Sequence, residues 1–144
     1  LPVLASVVTG FFCSSNDTLA SLSLPALASV GGDGFYCSSN DILASLSLPV
    51  LASVEGSFNC YSNPALASLS LPVLASLGDN FQGNTNALDS TTVNSLLGTL
   101  VAISPALTGR TIYLYGQTPP APPTGQGIID KTTLINNGNS VSTD

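Results

Sequence analysis

Histidine, methionine and tryptophan are absent from the 144 residues, and Arg110 and Lys131 are the only cationic side chains. Without histidine the chain cannot build a Ser/His/Asp or Cys/His catalytic pair or a histidine-liganded metal site, because the side chain that titrates near neutrality is missing. Two cations face eight carboxylates, for a formal net charge of −6. Neutralising phosphates takes clustered Lys and Arg, so this balance argues against direct contact with nucleic acid or an anionic membrane surface. No apolar run reaches the roughly 18 to 20 residues that span a bilayer, and no basic, apolar and small-residue leader pattern opens the sequence.

With only 7% charged but 44% hydrophobic residues, the polar surface has to come from Ser, Thr and Asn. That composition suits secreted or virion-surface β-structures, and the length suits one continuous core. Binding, scaffolding or assembly remain as function classes. An enzyme is not expected, since the carboxylates, Tyr113, Tyr115, Arg110 and Lys131 form no acid/base motif.

What the sequence does have is a repeat. Leu-Pro pairs fall at Leu1-Pro2, Leu24-Pro25, Leu48-Pro49 and Leu71-Pro72, giving steps of 24−1 = 23, 48−24 = 24 and 71−48 = 23. Phe11, Phe35, Phe58 and Phe81 recur in phase, as do Asn16, Asn40, Asn63 and Asn86. Cys13, Cys37 and Cys60 follow the same period, with Gly83 in the fourth slot. Alternation of apolar and small polar residues predicts two short strands per unit: one at Leu46 and Leu48 with Ser45 and Ser47 opposite, the other at Phe35 and Cys37 with Tyr36 outside. One such coil cannot bury its apolar face alone, so the copies must stack at about 4.8 Å per rung. The fold expected is mainly β: a right-handed, leucine-rich-repeat-like β-solenoid of about four 23–24-residue coils over residues 1–88, followed by a C-terminal α/β cap over residues 89–144.

Proline lacks an N–H and belongs at the corner where the Leu strand ends. The Asn after Cys-Ser-Ser or Cys-Tyr-Ser belongs at the opposite corner, turned inward to satisfy buried backbone groups. Asn16, Asn40, Asn63 and Asn86 are therefore expected to form an asparagine ladder. Beyond residue 88 the period changes. Asp89 or Ser90 can cap a helix carrying Val93, Leu96, Leu97, Leu100 and Val101 and ended by Pro105. A strand over Thr111–Tyr115, a helix from about Gly127 to Asn137 stopped by Gly138, and a strand at Ser140–Thr143 follow.

Leu19-Ala20-Ser21-Leu22-Ser23-Leu24-Pro25, Leu43 to Pro49 and Leu66 to Pro72 resemble the leucine-rich-repeat superfamily. The nearest likeness is to its receptor-L-domain-like and bacterial surface repeats, of the form L-x-S-L-x-L-P-x-L-x-S-V-x-G with an Asn turn. Repeat arrays ending in a segment like Ala121 to Val141 resemble bacterial surface proteins and phage structural proteins. The resemblance implies a curved solenoid used for recognition, adhesion or display, with no catalytic residues to carry over. A 23-residue unit leaves no room for the helix of ordinary leucine-rich repeats.

Each site candidate has a structural alternative. Cys13, Cys37 and Cys60 fit a buried thiol ladder, one disulfide with the third thiol free, or a metal site that lacks the usual paired ligand spacing. Asp17, Asp33 and Asp41 fit solvated turn acids better than a calcium site or a glycosidase carboxylate pair, and Pro64 replaces the acid in the third turn. Asn16-Asp17-Thr18 matches the N-glycosylation pattern, but an inward Asn16 would carry no glycan. Pro119 to Pro123 reads as a stiff exposed connection or a polyproline ligand. Phe12, Tyr36, Asn59 and Gln82 occupy equivalent outward positions, and Phe12 and Tyr36 mark the candidate binding face for glycan or protein.

Leu1, Val3 and Leu4 enter in mid-repeat and are expected to be an assembly end, since an open rung is a pairing template for a homo-oligomer or a larger array. No cofactor is expected. The function expected is a non-enzymatic structural or assembly protein of a virion, an extracellular filament or a surface layer, with an adhesive recognition module as the alternative.

Overall fold

The computed structural model describes residues 4–144 and shows a mainly β chain whose short parallel strands form a β-solenoid, with two helices. Leu1 and Val3 of the expected assembly end lie outside the described residues. The strands are β1 (Ser6–Val7), β2 (Gly10–Phe12), β3 (Ser21–Ser23), β4 (Ser29–Val30), β5 (Gly34–Tyr36), β6 (Ser45–Ser47), β7 (Ser53–Val54), β8 (Phe58–Asn59), β9 (Ser68–Ser70), β10 (Ser76–Leu77) and β11 (Phe81–Gln82). They are followed by α1 (Ser90–Ala102), β12 (Thr111–Leu114), α2 (Gln126–Asn136) and β13 (Ser140–Thr143).

The first three repeats each pass through three sheets, and the fourth through two of them before α1. The sheets have the orders β1-β4-β7-β10, β13-β12-β11-β8-β5-β2 and β3-β6-β9. Equivalent residues pair in parallel register, for example Phe35 with Phe58, Leu46 with Leu69 and Val30 with Val54. The expectation of two strands per repeat is corrected to three: the Ser-Val or Ser-Leu dipeptide after each Leu-Pro turn is itself a strand. Two residues are too few to show an alternation, so the sequence pattern could not reveal it.

Three corners join these strands. At the first, Leu19, Leu43 and Leu66 donate their N–H groups to the carbonyls of Asn16, Asn40 and Asn63 at 2.9 to 3.2 Å. Asp17, Asp41 and Pro64 hold the same place in this turn, one that suits both residue types. At the second, Leu27, Leu51 and Leu74 donate to Leu24, Leu48 and Leu71 around Pro25, Pro49 and Pro72. The third is glycine-rich because neighbouring backbones touch there: a Cβ on Gly31 would overlap the Val8 carbonyl.

The core is a set of side-chain columns running along the stack. Phe11, Phe35, Phe58 and Phe81 stack with centroids 4.9, 5.0 and 5.1 Å apart and planes within 7°. Ile112 and then Val141 continue the column by strand register. Leu24, Leu27, Leu43, Leu46, Leu48, Leu51 and Leu66 are fully enclosed. Transfer of such a side chain from water is worth about 1.5 to 3 kcal/mol, which explains how a chain with so few charges holds many short strands together.

Past residue 88 the three sheets fare differently. The six-stranded sheet continues across that boundary through β12 and β13. α1 contacts β9 and α2 and buries Val93, Leu96, Leu97 and Leu100. Its N-cap is Asp89, whose carboxylate accepts the Thr92 N–H at 2.7 Å. α2 ends at Asn136, and Gly138 follows at φ 86°. Among the described residues no helix is long and apolar enough to cross a membrane.

Candidate functional site: the inner ladder and the outer aromatic face

Backbone bends set up the asparagine ladder. Ser15, Ser39, Ser62 and Thr85 all lie in the left-handed region, at φ 55° to 59°, a conformation that disfavours side chains with a Cβ. It swings the following residue inward. The Oδ1 atoms of Asn40, Asn63 and Asn86 accept the backbone N–H of Asn16, Asn40 and Asn63 respectively, each at 2.9 Å. Their Nδ2 groups donate to the carbonyls of Cys13, Cys37 and Cys60 at 3.1, 2.9 and 2.7 Å. Each side chain thus satisfies one donor and one acceptor of the preceding rung, which in a low-dielectric core would otherwise cost about 1 to 3 kcal/mol apiece.

Asn16 has the same local contacts as its counterparts, to the sulfur and carbonyl that Asn40 reaches at Cys37 and Ser38, but belongs to the first described rung. It is exposed, and its Nδ2 reaches only its own repeat, at the Ser14 carbonyl and the Cys13 sulfur. No preceding rung is described for it to serve. The glycosylation-type triplet Asn16-Asp17-Thr18 is accordingly at the surface.

The ladder also extends past the repeats. Gln117 is buried, donates Nε2–H to the carbonyls of Gly83 (2.9 Å) and Leu114 (3.1 Å), and accepts the Leu88 N–H at 3.2 Å. Gly116 before it has φ 69°, so the bend recurs as well. One strand further, the Asp144 carboxylate accepts the N–H groups of Gly116, Gln117 and Ala121. Pattern reading missed both residues. The available signal was the spacing of five residues from Phe81 to Asn86, repeated from Ile112 to Gln117.

All three cysteines are free; Cys37 and Cys60 are buried and Cys13 is half-buried. Burial, reinforced by Cys13 alongside, pushes the Cys37 thiol up to about 12, and burial raises Cys60 well above its ordinary value. Both are closed to thiolate chemistry at neutral pH. Leu114 takes up the space at the fourth slot, where a Cβ on Gly83 would sit 3.1 Å from its Cδ2. No group of three or more Cys, Asp or Glu side chains suited to hold a metal occurs among the described residues.

The outer face of the six-stranded sheet is where the exposed chemistry gathers. Phe12 is 64% exposed, and its ring stacks on Tyr36 at 5.0 Å and 13°. Strand register carries that row on through Asn59, Gln82, Tyr113 and Ser142. Asn59 is corrected from outward-exposed to buried, at 4% exposure. It sits in the row between Tyr36 and Gln82, where larger neighbours cover a short amide.

A second row begins with Ser14 and Ser38, whose hydroxyls are 3.1 Å apart. By strand alternation it continues through Tyr61, Asn84 and Tyr115. Tyr113 and Tyr115 meet edge-on at 5.4 Å. All four tyrosines of the chain and its one outward phenylalanine therefore lie on this face. Sequence reading found Phe12 and Tyr36 but not the other three, because Tyr61 has serines in the equivalent repeats and β12 lies outside the period.

Geometry thus defines a parallel β-solenoid with an inner amide ladder and an aromatic outer face. Comparison with protein-family models, with curated proteins and with solved structures finds no match.

Proposed function

We propose that the chain is a non-enzymatic recognition module of an extracellular or virion surface, and that its aromatic outer face binds an extended neutral glycan. The observation that carries this reading is the collection of Phe12, Tyr36, Tyr61, Tyr113 and Tyr115 on one sheet face beside the amides of Gln82 and Asn84. Aromatic rings offer flat apolar surface to sugar C–H faces, and carboxamides pair with hydroxyls. The Asn84 Oδ1 is buried without a hydrogen-bond partner. Neither cation belongs to these rows, so a neutral ligand fits better than an acidic one. The six strands span about 24 Å at about 4.8 Å per strand, which suits a polymer rather than a single sugar.

Co-sedimentation with insoluble polysaccharides and a glycan array test the proposal. The double variant Phe12→Ala, Tyr36→Ala should lose binding while keeping its melting temperature, because Phe12 is exposed and Tyr36 only half-buried. Retained binding, or no binding by the parent protein, would overturn it.

A second reading, structural assembly in a virion, filament or surface layer, is favoured by the rung that contains Leu4. Val7, Phe11, Leu19 and Leu22 are only partly buried there, whereas Val30, Phe35, Leu43 and Leu46 one repeat later are at most 1% exposed. Leu4 itself packs against the core. A second copy of the chain could seat a β-rung on this end. Analytical ultracentrifugation and electron microscopy of the protein test it: concentration-dependent filaments or oligomers support assembly, and a monomer at all concentrations overturns it.

A further inference from the structure

The sheet β1-β4-β7-β10 ends differently from the other two. The six-stranded sheet runs on into β12, and β9 contacts α1. Beside β10, the segment between α1 and β12 returns at a distance and leaves a cleft of about 280 Å³. Within this sheet the carbonyls of Ala52 and Val54 accept N–H groups from Ala75 and Gly78 one rung on, at 2.8 and 2.9 Å. Ala75 and Leu77, the equivalent residues of the last rung, line the cleft instead.

The far wall carries Arg110, one of two cations in an acidic chain. Its backbone is pinned, with the N–H donated to Asn139 Oδ1 at 3.0 Å and the carbonyl accepting from Ser140 at 2.9 Å. Its Nε is buried and has no hydrogen-bond partner. An orphaned guanidinium donor is costly and calls for an anion. No acidic residue lines the cleft; Leu77, Ile103 and Leu107 give it an apolar wall.

We propose that this cleft binds the C-terminal carboxylate of an extended peptide. The carboxylate pairs with the terminal Nη donors of Arg110, since Nε is enclosed, in a charge-assisted contact the planar guanidinium favours. The peptide backbone donates to the open β10 edge at Ala75 and Leu77, in the manner of strand addition. Its last side chain rests on Leu77, Ile103 and Leu107. The open strand edge is what favours a peptide over another carboxylate, because a ladder of backbone groups is matched by backbone.

The test uses ¹⁵N-labelled protein titrated with acetyl-Ala-Val-Leu as the free acid, the same peptide as its C-terminal amide, and glucuronate. The free acid should shift resonances of residues 75–78 and 103–110 saturably. The amide peptide should bind about tenfold or more weaker, as the loss of a charge-assisted hydrogen bond implies, and Arg110→Gln should weaken the acid to the same degree. Glucuronate should bind far more weakly than the acid peptide. Equal binding of acid and amide, no saturable shift at millimolar peptide, or glucuronate matching the peptide would each overturn the proposal. The acid/amide comparison needs no variant and so stands even if Arg110→Gln fails to fold.

Discussion

Gln117 donates its side-chain N–H to the Gly83 carbonyl at 2.9 Å, the bond that Asn86 makes to Cys60 at 2.7 Å one rung earlier. A longer amide outside the repeat thus does the work of the repeated asparagine. Its extra methylene moves the accepting oxygen from the ladder N–H to that of Leu88. The inner ladder is consequently a property of the six-stranded sheet as a whole, including the part that follows α1.

The ladder should therefore be sensitive to truncation at Asn63 and at Gln117 alike. Asn63→Ala strands the Asn40 N–H and the Cys37 carbonyl, and Gln117→Ala strands the Leu88 N–H and leaves the Gly83 carbonyl to Asn86 alone. Each should cost about 1 to 3 kcal/mol or somewhat more, seen as a lower midpoint in urea unfolding. Asn16→Ala, at an exposed position, should cost far less. Equal effects at all three sites would contradict the structure.

The phenylalanine column supplies a second gradient. Phe58 is fully buried between two rings, so Phe58→Ala should destabilise by about 3 to 5 kcal/mol. Phe11 is partly exposed and has a ring on one side only, so Phe11→Ala should cost clearly less. Thermal unfolding of the two variants checks the order.

Thiol reactivity follows burial. In the folded protein at pH 8, Cys13 should react with a maleimide while Cys37 and Cys60 stay protected until denaturant is added. The same shifts predict a fall in stability with alkali. The folded Cys37 holds its proton up to about 12, but in the unfolded chain the thiol ionises from about pH 8.5. Between those values the unfolded state binds fewer protons, so stability drops as pH rises. Cys37→Ala and Cys60→Ala together should flatten that part of the profile.

At the acid end the group to watch is Asp89. The Thr92 N–H holds its carboxyl below the usual carboxylate range. Stability from this cap is therefore present above the unfolded value of about 3.9 and is lost as pH falls through the lowered folded value. Asp89→Ala should cost about 1 kcal/mol at neutral pH, and Asp89→Asn noticeably less; helical circular dichroism during urea unfolding would report it.

Much of this arrangement is legible in the sequence, for identifiable reasons. A period of 23 to 24 residues forces equivalent residues into register, so the stacked Phe, Cys and Asn columns follow from stacking alone. The Leu-Pro and Asn corners follow from what proline and asparagine do to a backbone. Asp89, the hydrophobic spacing of α1 and Gly138 likewise mark the ends of the two helices by local chemistry.

Other features were decided by packing at long range. Ser53–Val54 is a strand only because Ser29–Val30 and Ser76–Leu77 lie on either side to share hydrogen bonds. Asn59 is buried because of what surrounds it, whereas its strand position alone predicts an outward residue. Gln117 and Asp144 join the ladder after an inserted helix has broken the period, and Arg110 comes to line one cleft with Ala75 and Leu77 through the return of a loop. A stacked repeat with Leu, Phe and Cys inside and serine outside follows from the order of residues alone, since those placements need only alternation and recurrence. The third sheet, the full aromatic face and the Arg110 cleft arise from long-range packing, because each depends on residues far apart in the chain that share no local pattern.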